Sequence, residues 1–397
     1  MTSENNFAFE TALIHNRHKI DPATGAVCVP IQHASTYHQF DIDQFGKYDY
    51  SRSLNPTREA LEEIIAELEE GTRGFAFSSG MAAISTAFLL LSSGDHVIIS
   101  EDVYGGTYRM VTNVLNRFGI QHTFADMTNL ENIRSAIQHN TRAFYIETPS
   151  NPLLKVSDIR EISAIAREIG ALTYVDNTFL TPALQQPLSL GADIVLHSAT
   201  KFLSGHSDVV AGLAAVKDPE IGEKLSFLQN SFGAVLGVQD AWLVMRGIKT
   251  LHVRMEHSMK SAHKMAEFLS SLPSVKAVHY PGLPGHPQHR IQSEQAKGAG
   301  AVLSFELQNE SLLRSFVNQL QLPVFAVSLG AVETILSYPA KMSHAAMPDE
   351  ERERRGISKS LLRLSLGLEN CDDLIRDFTL ALQQSEREYL QTAVKEG

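Results

Sequence analysis

Residues 172–178 read LTYVDNT and residues 193–201 read DIVLHSATK. Each is a short apolar run rich in β-branched residues that stops at polar, chemistry-bearing side chains. The first stops at Asp176, the second at Ser198, Thr200 and Lys201. Similar runs begin near Gly74, His96, His122, Arg142 and Gly212, about 20 to 30 residues apart, with helix-like segments between most of them. Strands of a parallel sheet covered on both faces read in this way, so the spacing predicts an α/β unit with a mostly parallel, seven-stranded sheet. Ligands of such sheets bind beyond the carboxyl ends of the strands. The residues following each run are therefore the candidates for chemistry.

The cadence stops after Asp218. A long helical stretch follows to about Leu272, then runs at Val275–Tyr280, Ala301–Leu307, Phe325–Leu329 and Leu361–Leu366 alternate with helix candidates at 311–320 and 371–388. This predicts a smaller C-terminal α+β domain. Its boundary is set near residue 255, inside the helical stretch, because no linker composition marks it. The expected division is an N-terminal arm over 1–60, a large domain over 61–255 and a small one over 256–397. Asn55-Pro56 supplies a cap and a first-turn proline for a helix whose apolar face is Leu61, Ile64, Ile65 and Leu68 and which ends at Gly71. Ala82–Leu91 reads as a buried helix, too short for a bilayer. The run DEERERR, 349–355, reads as a solvated helix face.

Composition narrows the function classes. With 43% apolar and 20% charged residues among 397, the chain is ordinary globular material. Its 34 basic against 45 acidic side chains give a net charge of −11, and it has no basic run, which argues against nucleic acid. The polar start Met1–Glu10 lacks the features of a signal peptide, and no membrane association is expected. Cys28 and Cys371 are too few and too far apart for a disulfide framework or a CxxC metal site, so a cytoplasmic, reducing setting is expected.

Four strand tips stand out. Ser78-Ser79-Gly80-Met81 passes from a run into a helix and offers free backbone N–H groups suited to a phosphate. Tyr104-Gly105-Gly106-Thr107 offers a ring that could stack on a flat cofactor. Asp176 and Lys201 complete the set. Taken singly, each has a plain alternative: a serine cap, core packing, a turn carboxylate, a solvated lysine. Together they are the parts a pyridoxal 5'-phosphate (PLP) site requires: an amine to hold an aldehyde, a carboxylate to keep the pyridine nitrogen protonated, and hydroxyls and N–H groups for a phosphate.

Along nearly its whole length, from Pro30 to about Glu369, the sequence resembles the Cys/Met-metabolism family of PLP-dependent enzymes. The matching stretches are Tyr50-Ser51-Arg52 with Asn55-Pro56-Thr57-Arg58, the Ser79-Gly80-Met81 and Tyr104 tips, Glu147-Thr148-Pro149-Ser150-Asn151-Pro152, Val175-Asp176-Asn177-Thr178, and His197 to Lys201. In the C-terminal third they are Ser328-Leu329-Gly330, Met342-Ser343-His344 and Leu362-Arg363-Leu364-Ser365. The resemblance implies the fold of the aspartate aminotransferase type and a residue-by-residue site. Lys201 would hold the cofactor covalently, Asp176 would pair with the pyridine nitrogen and Tyr104 would stack on the ring. Gly80, Met81, Ser198 and Thr200 would hold the phosphate, and Asn151 would lie beside the phenolic oxygen. Tyr50 and Arg52 would reach the phosphate of a neighbouring subunit, which implies a homo-oligomer, usually a tetramer built as two dimers. Arg363 would grip a substrate α-carboxylate, with Ser328 nearby.

Other positions bear on specificity. Arg109 is a candidate for a second substrate carboxylate or an exposed helix arginine. Glu333 matches a family position near the substrate where members acting at Cγ often carry glutamate, which favours γ chemistry. Against this, Pro30–Thr36 (PIQHAST), Phe75–Leu90, Glu101–Met110 and Leu329–Met347 resemble a bacterial cystathionine β-lyase subgroup. The expected activity is accordingly β-elimination of L-cystathionine to homocysteine, pyruvate and ammonia, in methionine biosynthesis, with γ-lyase or γ-synthase chemistry as the alternative. His279, His286 and His289 lie around a Pro/Gly loop without helical metal spacing, and no metal is expected. A nicotinamide oxidoreductase is disfavoured because no GxGxxG turn follows the first run.

Overall fold

The computed structural model describes residues 7–15, 20–345 and 347–396. Part of the expected N-terminal arm, and most of the polar start read against a signal peptide, lies outside these residues. The chain begins with α1 (Phe9–His15) and α2 (Pro56–Leu68), followed by β1 (Arg73–Phe77), α3 (Gly80–Phe88), β2 (His96–Ser100) and α4 (Gly105–Asn113). Then come β3 (Gln121–Ala125), α5 (Leu130–Ala136), β4 (Thr141–Glu147), α6 (Ile159–Glu168), β5 (Leu172–Asp176), α7 (Thr181–Leu184), β6 (Ile194–Ser198) and β7 (Gly212–Val216).

All seven apolar runs are strands of one sheet, ordered β1-β7-β6-β5-β4-β2-β3. β7 runs antiparallel to both β1 and β6, and the remaining pairs are parallel. Two cores explain the unbroken apolar strands. Phe75, Phe77, Val97, Ile99, Tyr145 and Tyr174 pack on one face, while Ile98, Phe144, Ile146 and Val175 meet α6 on the other. Asn55 caps α2 by accepting from the N–H groups of Thr57 and Arg58. Arg58 is buried and donates to the carbonyls of Ser51 and Ser53, which fixes the turn carrying Tyr50 and Arg52.

The stretch after Asp218 is three helices rather than one: α8 (Pro219–Phe232), α9 (Val238–Ile248) and α10 (Leu251–Ser270). Gly233, in the left-handed region at φ 71°, ends the first. α10 passes between two cores. Leu251 and Met255 pack with the α2 side of the large sheet, and Ala262, Met265, Ala266 and Leu269 pack with the small one. The remaining elements are β8 (Val275–His279), α11 (His289–Gln295), β9 (Val302–Leu307), α12 (Leu313–Gln319), β10 (Val324–Phe325), β11 (Ile335–Ser337), α13 (Asp349–Arg354), β12 (Leu361–Ser365) and α14 (Cys371–Glu396). Their strands form a second sheet, β10-β11-β12-β9-β8.

Two local readings are corrected. The run 325–329 is strand only at its first residue, because the backbone turns at Ser328, whose φ is 92°. The 349–355 run is not a solvated face throughout. The Arg355 side chain is 1% exposed, and its guanidinium lies 4.8 Å from the Phe124 ring centroid and 5.4 Å from that of Tyr108.

Candidate active site

The tips of β1, β6 and β7 meet backbone to backbone. Ser79 caps α3 by accepting from the N–H of Ala82, and Gly80 lies against Ser198 so closely that a Cβ would sit 2.9 Å from that of Ser198. A Cβ on Gly212 would meet the carbonyl oxygen of Ser79 at 2.1 Å. The first turn of α3 thereby lies beside Ser198, at the positive end of the helix. At Gly106 a Cβ would meet both the Tyr104 ring, at 2.5 Å, and the Met81 sulfur, at 2.9 Å, so the Tyr104 and Met81 side chains converge there. Thr200 is locked to Ala211, whose N–H donates to its hydroxyl at 3.0 Å.

Asp176 ends β5, the central strand. One carboxylate oxygen accepts from the Thr178 N–H (3.0 Å) and hydroxyl (2.5 Å), and the other accepts from the Tyr145 hydroxyl at 3.2 Å. Burial, and then the Asp176 charge, push the Tyr145 hydroxyl well above its ordinary range, so it remains a donor. Thr178 also accepts from the Ser198 N–H at 2.8 Å, which ties the β5 and β6 tips together.

Lys201 lies in the turn after β6, and its amine donates to the Ser328 hydroxyl at 2.5 Å. Burial, then the neighbouring charge of Arg363, pull this amine down to about 8. Arg363, on β12, donates from one terminal nitrogen to Asn151 Oδ1 (2.8 Å) and from the other to the Ser328 carbonyl (2.7 Å) and the Ser337 hydroxyl (3.1 Å). Its Nε is buried without a hydrogen-bond partner. Lys201, Ser328, Arg363 and Asn151, scattered in sequence, therefore form one connected group.

A cavity of about 610 Å³ opens beside it, lined among others by Thr200, Asp208, Val210, Ser328, Leu329 and Glu333. Glu333 is exposed and accepts from the Ser207 hydroxyl at 3.4 Å. Three expected site residues stand apart from this cluster. Tyr50 is 47% exposed beneath the Arg52 guanidinium, and Arg52 donates to Asn230 on α8. Arg109 is exposed on α4, and its side chain makes no hydrogen bond or ion pair among the described residues.

The sequence reading gave no role to two buried groups here. Glu147 accepts from the Tyr104 N–H at 2.8 Å, and His344 is held near the Arg363 charge and driven down to about 3 by burial, then by that charge. A carboxylate that ends an apolar run beside another such run was the available signal for the first. His279, by contrast, pairs with Glu306 at 3.2 Å, and His289 bonds the Pro281 carbonyl. Among the described residues no group of three or more His, Cys, Asp or Glu is gathered to hold a metal. No helix among them is long and apolar enough to cross a membrane.

A part-buried lysine, a strand-tip carboxylate and a helix-start cradle on this sheet, beside a small C-terminal sheet, define a PLP-dependent enzyme of the aspartate aminotransferase fold type. A family model described as Cys/Met metabolism PLP-dependent enzyme matches residues 10–383, and the chain belongs to that family. It is similar to cystathionine beta-lyase MetC of Bacillus subtilis (strain 168), 64% identical over 382 residues that cover 96% of this chain and 98% of the relative. The cystathionine gamma-lyase of the same organism is 52% identical over 374 residues, 94% of this chain and 99% of that one. Among solved structures, cystathionine gamma synthase from Xanthomonas oryzae pv. oryzae in complex with cystathionine superposes with a TM-score of 0.94 at 41% identity, covering 96% of this chain and 99% of the other.

Proposed function

We propose that this enzyme is a cystathionine β-lyase: it converts L-cystathionine and water into homocysteine, pyruvate and ammonia, a step that serves methionine biosynthesis. The observation that carries this reading is the 64% identity, over nearly both full lengths, to a cystathionine beta-lyase. PLP, when bound, supplies an electron sink for the pair left at the substrate Cα. Its fit is supported by the Gly80–Ser198 cradle and by the part-buried amine of Lys201.

In this reading Arg363 holds the substrate α-carboxylate and Lys201 anchors the cofactor. With PLP bound, the free amine of Lys201 would take the Cα proton and return a proton to the departing sulfur. Asp176 keeps the pyridine nitrogen protonated, Tyr104 covers the ring, and Asn151 stands beside the phenolic oxygen. Gly80, Met81, Ser198 and Thr200 hold the phosphate. Tyr50 and Arg52 complete the phosphate site of a neighbouring copy in a homotetramer built as two dimers. Their exposure supports this, as does that of Phe40, Ile42 and Phe45 on the same arm, at 91%, 87% and 73%. Arg109 serves a second substrate carboxylate. The two free cysteines accord with a cytoplasmic setting.

Glu333, at the cavity mouth, favours a second reading, γ-elimination. Incubating the cofactor-loaded enzyme with L-cystathionine and identifying the keto acid by mass spectrometry separates the two. Pyruvate with homocysteine is expected; 2-oxobutyrate with cysteine overturns the β assignment.

A further inference from the structure

Glu147 is the last residue of β4 and pairs in register with Asp176 on β5. Its carboxyl accepts from the Tyr104 N–H at 2.8 Å and also faces the backbone N–H of Asn151. Its own N–H is held by the Ser100 hydroxyl at 3.2 Å. Arg363 donates to Asn151 Oδ1 at 2.8 Å and so joins the same cluster. One side chain thus holds Tyr104 by a hydrogen bond, faces the Asn151 N–H and lies in register beside Asp176. At 5% exposure it lies behind these groups rather than among those open to a ligand.

We propose that Glu147 is a positioning residue that seats Tyr104 and Asn151 around the cofactor, an inference that rests on the PLP site read above. Helix starts leave N–H groups without intrahelical partners, and Tyr104, at the N-cap of α4, has no side-chain cap of its own. Glu147 supplies the acceptor that fixes this backbone. The Tyr104 residue itself is 41% exposed, so its ring is held mainly from the backbone end. Without the acceptor, a partly buried N–H loses its partner and the start of α4 is free to shift. Burial, reinforced by the Asp176 charge, holds the Glu147 carboxyl well above the usual carboxylate range. A neutral side chain of the same length therefore preserves its function.

The test compares Glu147→Ala, Glu147→Gln and Glu147→Asp in the full-length enzyme loaded with PLP, following the visible circular dichroism of the bound cofactor together with kcat and KM. Alanine is expected to lower kcat at least ~10-fold and to reduce the visible signal by about half or more, as loss of positioning does. Glutamine should keep kcat within about threefold and preserve the signal. Aspartate, one methylene shorter, should behave like alanine. Parental kcat and signal in the alanine variant overturn the proposal. Rescue by aspartate but not by glutamine also overturns it, because charge rather than reach then matters. If the alanine variant does not fold, the glutamine–aspartate contrast decides. The underlying reading fails separately: a parent enzyme that shows no visible cofactor band lacks the PLP site, whatever the variants do.

Discussion

The Lys201 amine donates to the Ser328 hydroxyl at 2.5 Å, while the carbonyl of that same serine accepts from Arg363 at 2.7 Å. Ser328 holds both from a left-handed backbone, φ 92°, that non-glycine residues rarely adopt. The proposed proton carrier and the proposed carboxylate clamp are therefore tied to one residue of the loop between β10 and β11.

Lys201→Ala should leave a folded protein whose pyruvate formation falls by roughly 100-fold or more, the scale of general acid–base catalysis, with the covalent anchor also lost. Keto-acid assay and the visible spectrum of added PLP check this. Turnover within tenfold of the parent refutes the role.

The depressed proton affinity of Lys201 makes a stability claim for the cofactor-free protein. Below about 8 the amine is charged in both folded and unfolded states, and the folded state carries the cost of burying it. Between about 8 and the ordinary lysine value the unfolded chain binds more protons, so this cost is relieved as pH rises. Lys201→Met should accordingly be more stable than the parent at pH 7, with the advantage shrinking toward pH 10. Urea unfolding at both pH values tests it, and an equal advantage at both contradicts it.

For Arg363→Lys, a point charge replaces a fork that donates to Asn151, Ser328 and Ser337 at once. The expected loss in kcat/KM corresponds to about 1.5–3 kcal/mol, the scale of a hydrogen bond to a charged group. Steady-state kinetics with L-cystathionine decide, and an unchanged kcat/KM moves the carboxylate site elsewhere.

Arg354 and Arg355 both pair with Glu351, yet their side chains are 68% and 1% exposed. Only Arg355 also lies over Phe124 and Tyr108. Arg355→Met should cost about 1–2 kcal/mol of stability, the scale of a desolvated cation–π contact, and Arg354→Ala about 0–0.5. Denaturant unfolding of the two variants gives the comparison; equal costs remove the clamp.

The large sheet was legible because strands buried on both faces leave unbroken apolar runs, and a polar residue ending such a run is conspicuous. That is how Asp176 and Lys201 stood out. β11 was missed because three residues carry no period, and β10 was overextended because nothing in the run marks the left-handed turn at Ser328. The 349–355 run misled because local charge density says nothing of Phe124 and Tyr108, which only the tertiary fold brings over Arg355. Glu147 likewise gains its meaning from Tyr104 and Asp176, neighbours in space on different elements.

Asp176 closes the middle strand of seven, with three strands on either side. Its flanking amides are expected to exchange with solvent only through openings that approach global unfolding. Glu333 stands between two- and three-residue strands at the rim of the second sheet, where Val324 and Phe325 are 47% and 48% exposed and local opening is cheap. In hydrogen-exchange terms the slow and fast ends of the molecule fall in different sheets. Substitutions around Glu333 can therefore accumulate at the fast end without loosening the strand that ends in Asp176.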